Sequence, residues 1–177
     1  MLVKQLMTRN VSSCRPENNL AELAELMWNH RCGVLPILDG AGRMTGIITD
    51  RDICIALGTR NLRASEVLAQ DVSRPTYFSC SPDNDVRDAL KTMASQEVSR
   101  LPVVDETGRL VGILSIDDIV FRAGGGRSSL SDHEIVDALI AMWADRVHHP
   151  EEAGQNESEL TSDLRMPMNY QHSTRPH

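Results

Sequence analysis

The chain has 177 residues, 41% apolar and only 3% aromatic, so one domain or two small tandem ones must pack on Leu, Ile, Val, Met and Ala. The formal charge is −7, and the last 50 residues hold nine acids against three cations; this disfavours a nucleic-acid groove, and two Trp, two Tyr and two Phe are too few for base-stacking platforms. The apolar runs are too short to span a membrane, the first ten residues hold no secretory signal, and the four cysteines form no C-x-x-C pair, so a cytoplasmic location without membrane or zinc-ribbon chemistry is expected.

In chain order, an extended piece at Val11–Arg15 ends at Pro16, and Asn18 stands near the cap position of a helix carrying Leu20, Leu23, Ala24 and Met27. His30 ends that helix. The strand Val34-Leu35-Pro36-Ile37-Leu38, the tight turn Asp39-Gly40-Ala41-Gly42 and the partner strand Met44–Thr49 predict a hairpin. Thr49 is placed to cap a second helix. The same order then recurs: Thr76–Ser81, a cap near Asn84, a helix with Val86, Ala89, Leu90 and Met93, a hairpin of Arg100–Val104 and Leu110–Ser115, and a Ser115 cap. The fold class is therefore α/β (α+β), a β-α-β-β-α unit present twice. Gly124-Gly125-Gly126 breaks the chain, a further helix is expected from Ser131 to Val147 with Ile135, Val136, Leu139, Ile140, Trp143 and Val147 as its apolar stripe, and the polar remainder is expected to be disordered.

The recurrence is a true repeat. An offset of 66 lays residues 13–53 on 79–119 without a gap, and 14 of 41 pairs are identical, against roughly two or three by chance. Equivalent positions are Cys14/Cys80, Pro36/Pro102, Gly46/Gly112, Asp52/Asp118 and Arg43/Arg109. The two cysteines are expected to pack in a core, and the two arginines to be solvated turn residues.

The informative pieces are Gly46-Ile47-Ile48-Thr49-Asp50-Arg51-Asp52 and Gly112-Ile113-Leu114-Ser115-Ile116-Asp117-Asp118. In each, a hydroxyl residue caps a helix and an Asp follows three positions on, so both side chains share one face of the first turn. Free N–H groups and the positive dipole end suit a phosphate there, and a nearby carboxylate suits a vicinal diol. A single copy is explained well enough as a capping box. Two copies at matched positions point beyond capping.

Both copies resemble CBS repeats, and the chain is similar to a stand-alone bacterial CBS-pair protein, a Bateman module, over roughly residues 3–122. The resemblance rests on Leu35 to Asp39 with Gly46 to Ile53, and on Leu101 to Asp105 with Gly112 to Ile119. With the residue pattern it divides the chain into a first repeat at 1–57, a linker at 58–70 and a second repeat at 71–123; outside the resemblance, composition and periodicity give a Gly linker with an amphipathic helix at 124–149 and an acidic tail at 150–177. The resemblance further implies a pseudo-twofold module, a homodimer, and adenosine-type ligands (AMP, ADP, ATP, NAD or S-adenosylmethionine) in clefts between the repeats, without a metal. By that resemblance Thr49 and Asp52 face Val98, Ser99 and Arg100, while Ser115 and Asp118 face Cys32, Gly33 and Val34. Arg51 adds a cation to the first cleft where Asp117 stands in the second, so a polyphosphate is expected to prefer the Arg51 side. Arg100 matches a frequent phosphate-contacting position, and Ser73 stands near where many family members carry Met.

The expected function is non-enzymatic: a regulatory, signal-transducing module for adenine nucleotides, with an effector protein the residues do not name. A structural oligomerisation module with weak or lost ligand binding is the alternative. A Mg²⁺-dependent nucleotide hydrolase using Asp50, Asp52, Asp117 and Asp118 is less favoured, because no Walker-type loop and no nucleophile with its base is present.

Overall fold

A computed structural model describes residues 1–123 and 130–147 of the chain. The expected Gly124–Gly126 break, His148-His149 and the 150–177 tail lie outside the described residues. Residues 1–142 form one compact unit, and the last helical turn belongs to a second that begins at Trp143.

The elements are α1 (Val3–Leu6), α2 (Leu20–His30), β1 (Val34–Leu38), β2 (Met44–Thr49), α3 (Asp50–Arg60), α4 (Val86–Ser95), β3 (Arg100–Val104), β4 (Leu110–Ser115), α5 (Ile116–Ala123) and α6 (Asp132–Val147). Two short 3-10 turns, Ala64–Glu66 and Ala69–Asp71, lie between α3 and α4. Both hairpins form as expected, with Leu35 opposite Ile48 and Leu101 opposite Leu114. Gly42 and Gly108 close the turns at φ +79° and +77°, a conformation that Cβ-bearing residues rarely adopt.

The expected first strand of each repeat is reduced to a single parallel bridge, Cys14 to Ile37 and Cys80 to Val103. Proline explains why. Cys14 donates to the Pro36 carbonyl at 3.0 Å and accepts from Leu38 at 2.9 Å. The next bonds of a parallel ladder would need N–H groups from Pro16 and Pro36, which have none. Pro82 and Pro102 stop the second copy in the same way. Both cysteines are buried, and burial pushes their thiols up to about 11, which keeps them protonated and fits the packing role.

The caps sit one residue later than expected. Asn19 accepts from the amides of Ala21 and Glu22, and Asp85 accepts from Arg87. Asn18 and Asn84 instead accept from Arg15 and Ser81, each at 2.7 Å, and tie the turn before the helix.

The two repeats exchange their lead-in segments. Val3 donates to the Asn84 carbonyl and Thr8 bridges Ile113, while Ala69 donates to Asn18 and Arg74 bridges Ile47. These are the same contacts shifted by 66 positions. The N-terminal residues thus complete the second repeat's core, where Val3, Leu6 and Met7 pack with Val86, Leu101 and Leu114. Val67 and Ala69 complete the first, with Leu20, Leu35 and Ile48. The hairpin tips also meet: Arg43 and Arg109, expected as solvated turn residues, form an antiparallel bridge through their main chains.

The face of α6 differs from expectation. Ile135, Ala138 and Met142 are buried in the second core and Leu139 packs partly against it, but Val136, Ile140 and Trp143 are exposed. The helix is apolar on more than one face, and the face with Ile135, Ala138 and Met142 is the buried one; the Val147 side chain lies outside the described residues. Ser131 caps α6 through a reciprocal pair with Glu134, and Glu134 also binds Arg87 on α4 at 2.6 Å.

Candidate functional site

Each hairpin ends where a helix begins, so the last residue of β2 or β4 is also the helix cap. Thr49 Oγ1 donates to Asp52 Oδ2 at 2.7 Å and accepts from the Asp52 amide at 3.1 Å. Ser115 and Asp118 repeat this geometry at 2.7 and 3.1 Å. The hydroxyl thus closes a capping box in both copies and occupies one carboxylate oxygen. The other oxygen, Oδ1, faces a guanidinium in each copy, which capping does not require.

The guanidiniums come from different places. Arg74 Nη2 donates to Asp52 Oδ1 at 2.7 Å, reaching across from the lead-in of the second repeat. Arg122 Nη2 stands 3.8 Å from Asp118 Oδ1, one turn along the same helix, and its Nη1 donates to the Leu6 carbonyl at 2.8 Å. Asp52 is only 8% exposed. Burial alone would raise its pKa, but the hydrogen bonds from Thr49 and Arg74 outweigh it and hold the carboxyl below its ordinary value. Arg74 was not among the residues singled out from the sequence.

The glycines of the two motifs have a steric cause. A Cβ on Gly46 would stand 3.0 Å from the Arg74 carbonyl oxygen, and one on Gly112 would meet Met7 Sδ at 2.7 Å and the Thr8 carbonyl at 3.0 Å. The missing side chain lets the exchanged lead-in lie against the strand. Ser73 belongs to this segment and its Oγ would stand 3.6 Å from the same Gly46 Cβ.

Within each repeat, the residues that enter the first strand adjoin that repeat's own hydroxyl–Asp pair. Val34 pairs with Thr49, and Asp50 donates to the Gly33 carbonyl at 3.1 Å. Arg100 pairs with Ser115, and Ile116 donates to Ser99 at 2.9 Å. Antiparallel register is the reason, since the start of one strand lies beside the end of its partner. Cys32, Gly33 and Val34 therefore adjoin Thr49 and Asp52, while Val98, Ser99 and Arg100 adjoin Ser115 and Asp118. Cys32 lines a shallow hollow with Met27, Trp28, Asp50 and Ile53, and Val98 packs partly against the second core. Arg51 is exposed and makes no ion pair among the described residues. Arg100 stands 3.9 Å from Asp117, so these two charges offset each other beside the second hydroxyl–Asp pair. Among the described residues no cluster of three or more His, Cys, Asp or Glu is placed to hold a metal ion, and no helix is long and apolar enough to cross a membrane.

Two copies of one small α+β unit, swapped at their lead-ins and each carrying a hydroxyl–carboxylate pair at a helix start, define a tandem-repeat pair module. Residues 3–59 and 69–125 match the CBS domain, and the chain belongs to that family. It is 31% identical over 139 residues to the CBS domain-containing protein YhcV of Bacillus subtilis, covering 75% of this chain and 97% of that one. It is 31% identical over 118 residues to protein MK0525 of Methanopyrus kandleri, where the match spans 67% of this chain and 60% of the relative. Relatives named as enzymes match over a small part of their length: 25% of a homoserine O-acetyltransferase of Methanohalophilus mahii, 23% of an inosine-5′-monophosphate dehydrogenase of Methanocaldococcus jannaschii. Among solved structures, the CBS domain pair of protein MJ0100, in complex with 5′-methylthioadenosine and S-adenosyl-L-methionine, aligns at TM-score 0.64 and 28% identity, covering 72% of this chain and 98% of that one. The CBS domain protein TA0289 of Thermoplasma acidophilum aligns at TM-score 0.66 and 26% identity, covering 80% and 75%.

Proposed function

We propose that the chain is a non-catalytic regulatory module of the cytoplasm that binds an adenosine-type ligand at its two hydroxyl–Asp sites and alters a surface read by a separate effector protein. The observation that carries this reading is the pair of nearly superposable hydroxyl–carboxylate boxes, each with its second oxygen turned to a guanidinium rather than to the backbone. A carboxylate that keeps one oxygen outside the capping box suits a ribose diol, and the helix start beside it suits a phosphate. The adenosine ligands of the MJ0100 pair support the ligand class. The short match to the enzyme relatives supports a regulatory rather than catalytic role.

A thermal-shift and calorimetric screen against AMP, ADP, ATP, NAD, NADH, S-adenosylmethionine and cyclic dinucleotides, with and without Mg²⁺, tests the reading. A ligand at a hundred times its dissociation constant adds roughly 2.7 kcal/mol, a shift of several degrees. Within that reading, Arg51→Ala weakens ATP more than adenosine; equal losses for both contradict a phosphate role for Arg51.

One observation favours a second reading, a pairing module without a ligand. Phe121 is 86% exposed, and its first-repeat counterpart Ile55 is 50% exposed, so both repeats present an apolar residue at the same helical position. Such a duplicated patch suits an isologous homodimer. A null ligand screen together with a dimer lost on Phe121→Ser would establish it.

A further inference from the structure

We propose that Arg74 sets the ligand class of the Thr49/Asp52 site, making it selective for adenosine ligands that carry a phosphate over neutral or sulfonium-bearing ones. The inference rests on the adenosine reading above and sharpens it.

The site has one acceptor to offer. Thr49 holds Asp52 Oδ2 through both its amide and its hydroxyl, at 3.0 and 2.7 Å. Only Oδ1 is left for a diol, and Arg74 Nη2 stands on it at 2.7 Å. A diol that uses Oδ1 must displace that nitrogen or crowd it. The displaced guanidinium cannot leave, because the Arg74 main chain is clamped to Ile47 by two hydrogen bonds, at 3.1 and 3.2 Å. Its side chain is otherwise 64% exposed and can swing. A phosphate on the same ligand gives the displaced cation a new bidentate partner. A neutral nucleoside leaves it without one, and a sulfonium places a like charge beside it.

The second cleft lacks this device. The position matched to Arg74 is Thr8, whose main chain is clamped to Ile113 in the same way, by two bonds of 2.9 Å. Arg122 is tied to the Leu6 carbonyl, and Arg100 faces Asp117, so neither is delivered to a ligand as Arg74 is.

The test is calorimetry with AMP, adenosine and S-adenosylmethionine on the full chain carrying Asp118→Asn, with and without Arg74→Thr. The expected result is that AMP binds the parent more tightly than adenosine, and that Arg74→Thr weakens AMP about tenfold while leaving adenosine unchanged or stronger. Arg74→Lys keeps part of the AMP preference. An AMP-to-adenosine ratio that Arg74→Thr does not alter overturns the inference and leaves the adenosine reading standing. No heat from any of the three probes, in this parent or in the unsubstituted chain, overturns both. Should Asp118→Asn fail to fold, Thr8→Arg in the unsubstituted chain asks the same question in reverse: the second cleft gains a preference for AMP over adenosine, and an unchanged ratio contradicts the role assigned to the position.

Discussion

The two hydroxyl–Asp sites are one scaffold with two different counter-ions. Hairpin register, cap geometry and the bridge to the lead-in segment are repeated residue for residue. The guanidinium on the acid is not: it comes from another segment at 2.7 Å in the first site and from the same helix at 3.8 Å in the second. Duplication fixes the hydroxyl–Asp geometry, while residues outside the repeated motif decide which charge stands on the acid.

The strongest way to break the equivalence of the halves lies in their cores. Leu35 and Leu101 are fully buried at the same strand position. Each Leu→Ala change costs about 3 kcal/mol in urea denaturation; near-neutrality at either position contradicts two matched cores. Next come the motif glycines. Gly46→Ala and Gly112→Ala each push a Cβ onto the lead-in backbone at 3.0 Å, with an expected loss of about 1–3 kcal/mol. Gly46→Ala also weakens AMP, because it moves the segment that carries Arg74.

Smaller effects sharpen the contrast between the acids. A double-mutant cycle of Asp52→Asn with Arg74→Thr gives a coupling of about 0.5–1 kcal/mol, and the cycle of Asp118 with Arg122 gives less, as the longer distance requires. Equal couplings remove the asymmetry. Asp52 also predicts a pH signature. Its folded pKa lies below the ordinary 3.8, so the stabilisation is complete above that value and disappears as pH falls through the lower folded value. The stability gap between the unsubstituted chain and Asp52→Asn therefore closes in acid. Glu134, lowered from 4.5 to about 2 by Arg87 and Ser131, behaves likewise: the advantage over Glu134→Gln is full above pH 4.5 and is lost as pH falls through about 2.

Much of this was legible in the sequence. The 66-residue offset, the hairpins, the Thr49 and Ser115 caps and the start of α6 follow from local signals that the tertiary structure keeps. What escaped is non-local. Arg74 lies five residues before the start of the aligned block, and extending the offset sets it against Thr8; nothing local says that its segment crosses to the other repeat and reaches Asp52. The grouping of Val34 with Thr49, by contrast, was available from hairpin geometry alone. The buried side of α6 was misread because Ile135, Ala138 and Met142 compete with Val136, Ile140 and Trp143 for one periodicity, and only packing chooses between them.

The central claim is that the two hydroxyl–Asp sites bind adenosine-type ligands. Calorimetry on the unsubstituted chain, on Asp52→Ala and on Asp118→Ala, with AMP as the first ligand and S-adenosylmethionine as the second, tests it most directly. The account predicts binding to the unsubstituted chain, with a separate part of the signal lost in each variant and the AMP signal depending chiefly on Asp52. Binding that survives both substitutions, or no binding of either ligand to a folded chain, contradicts it.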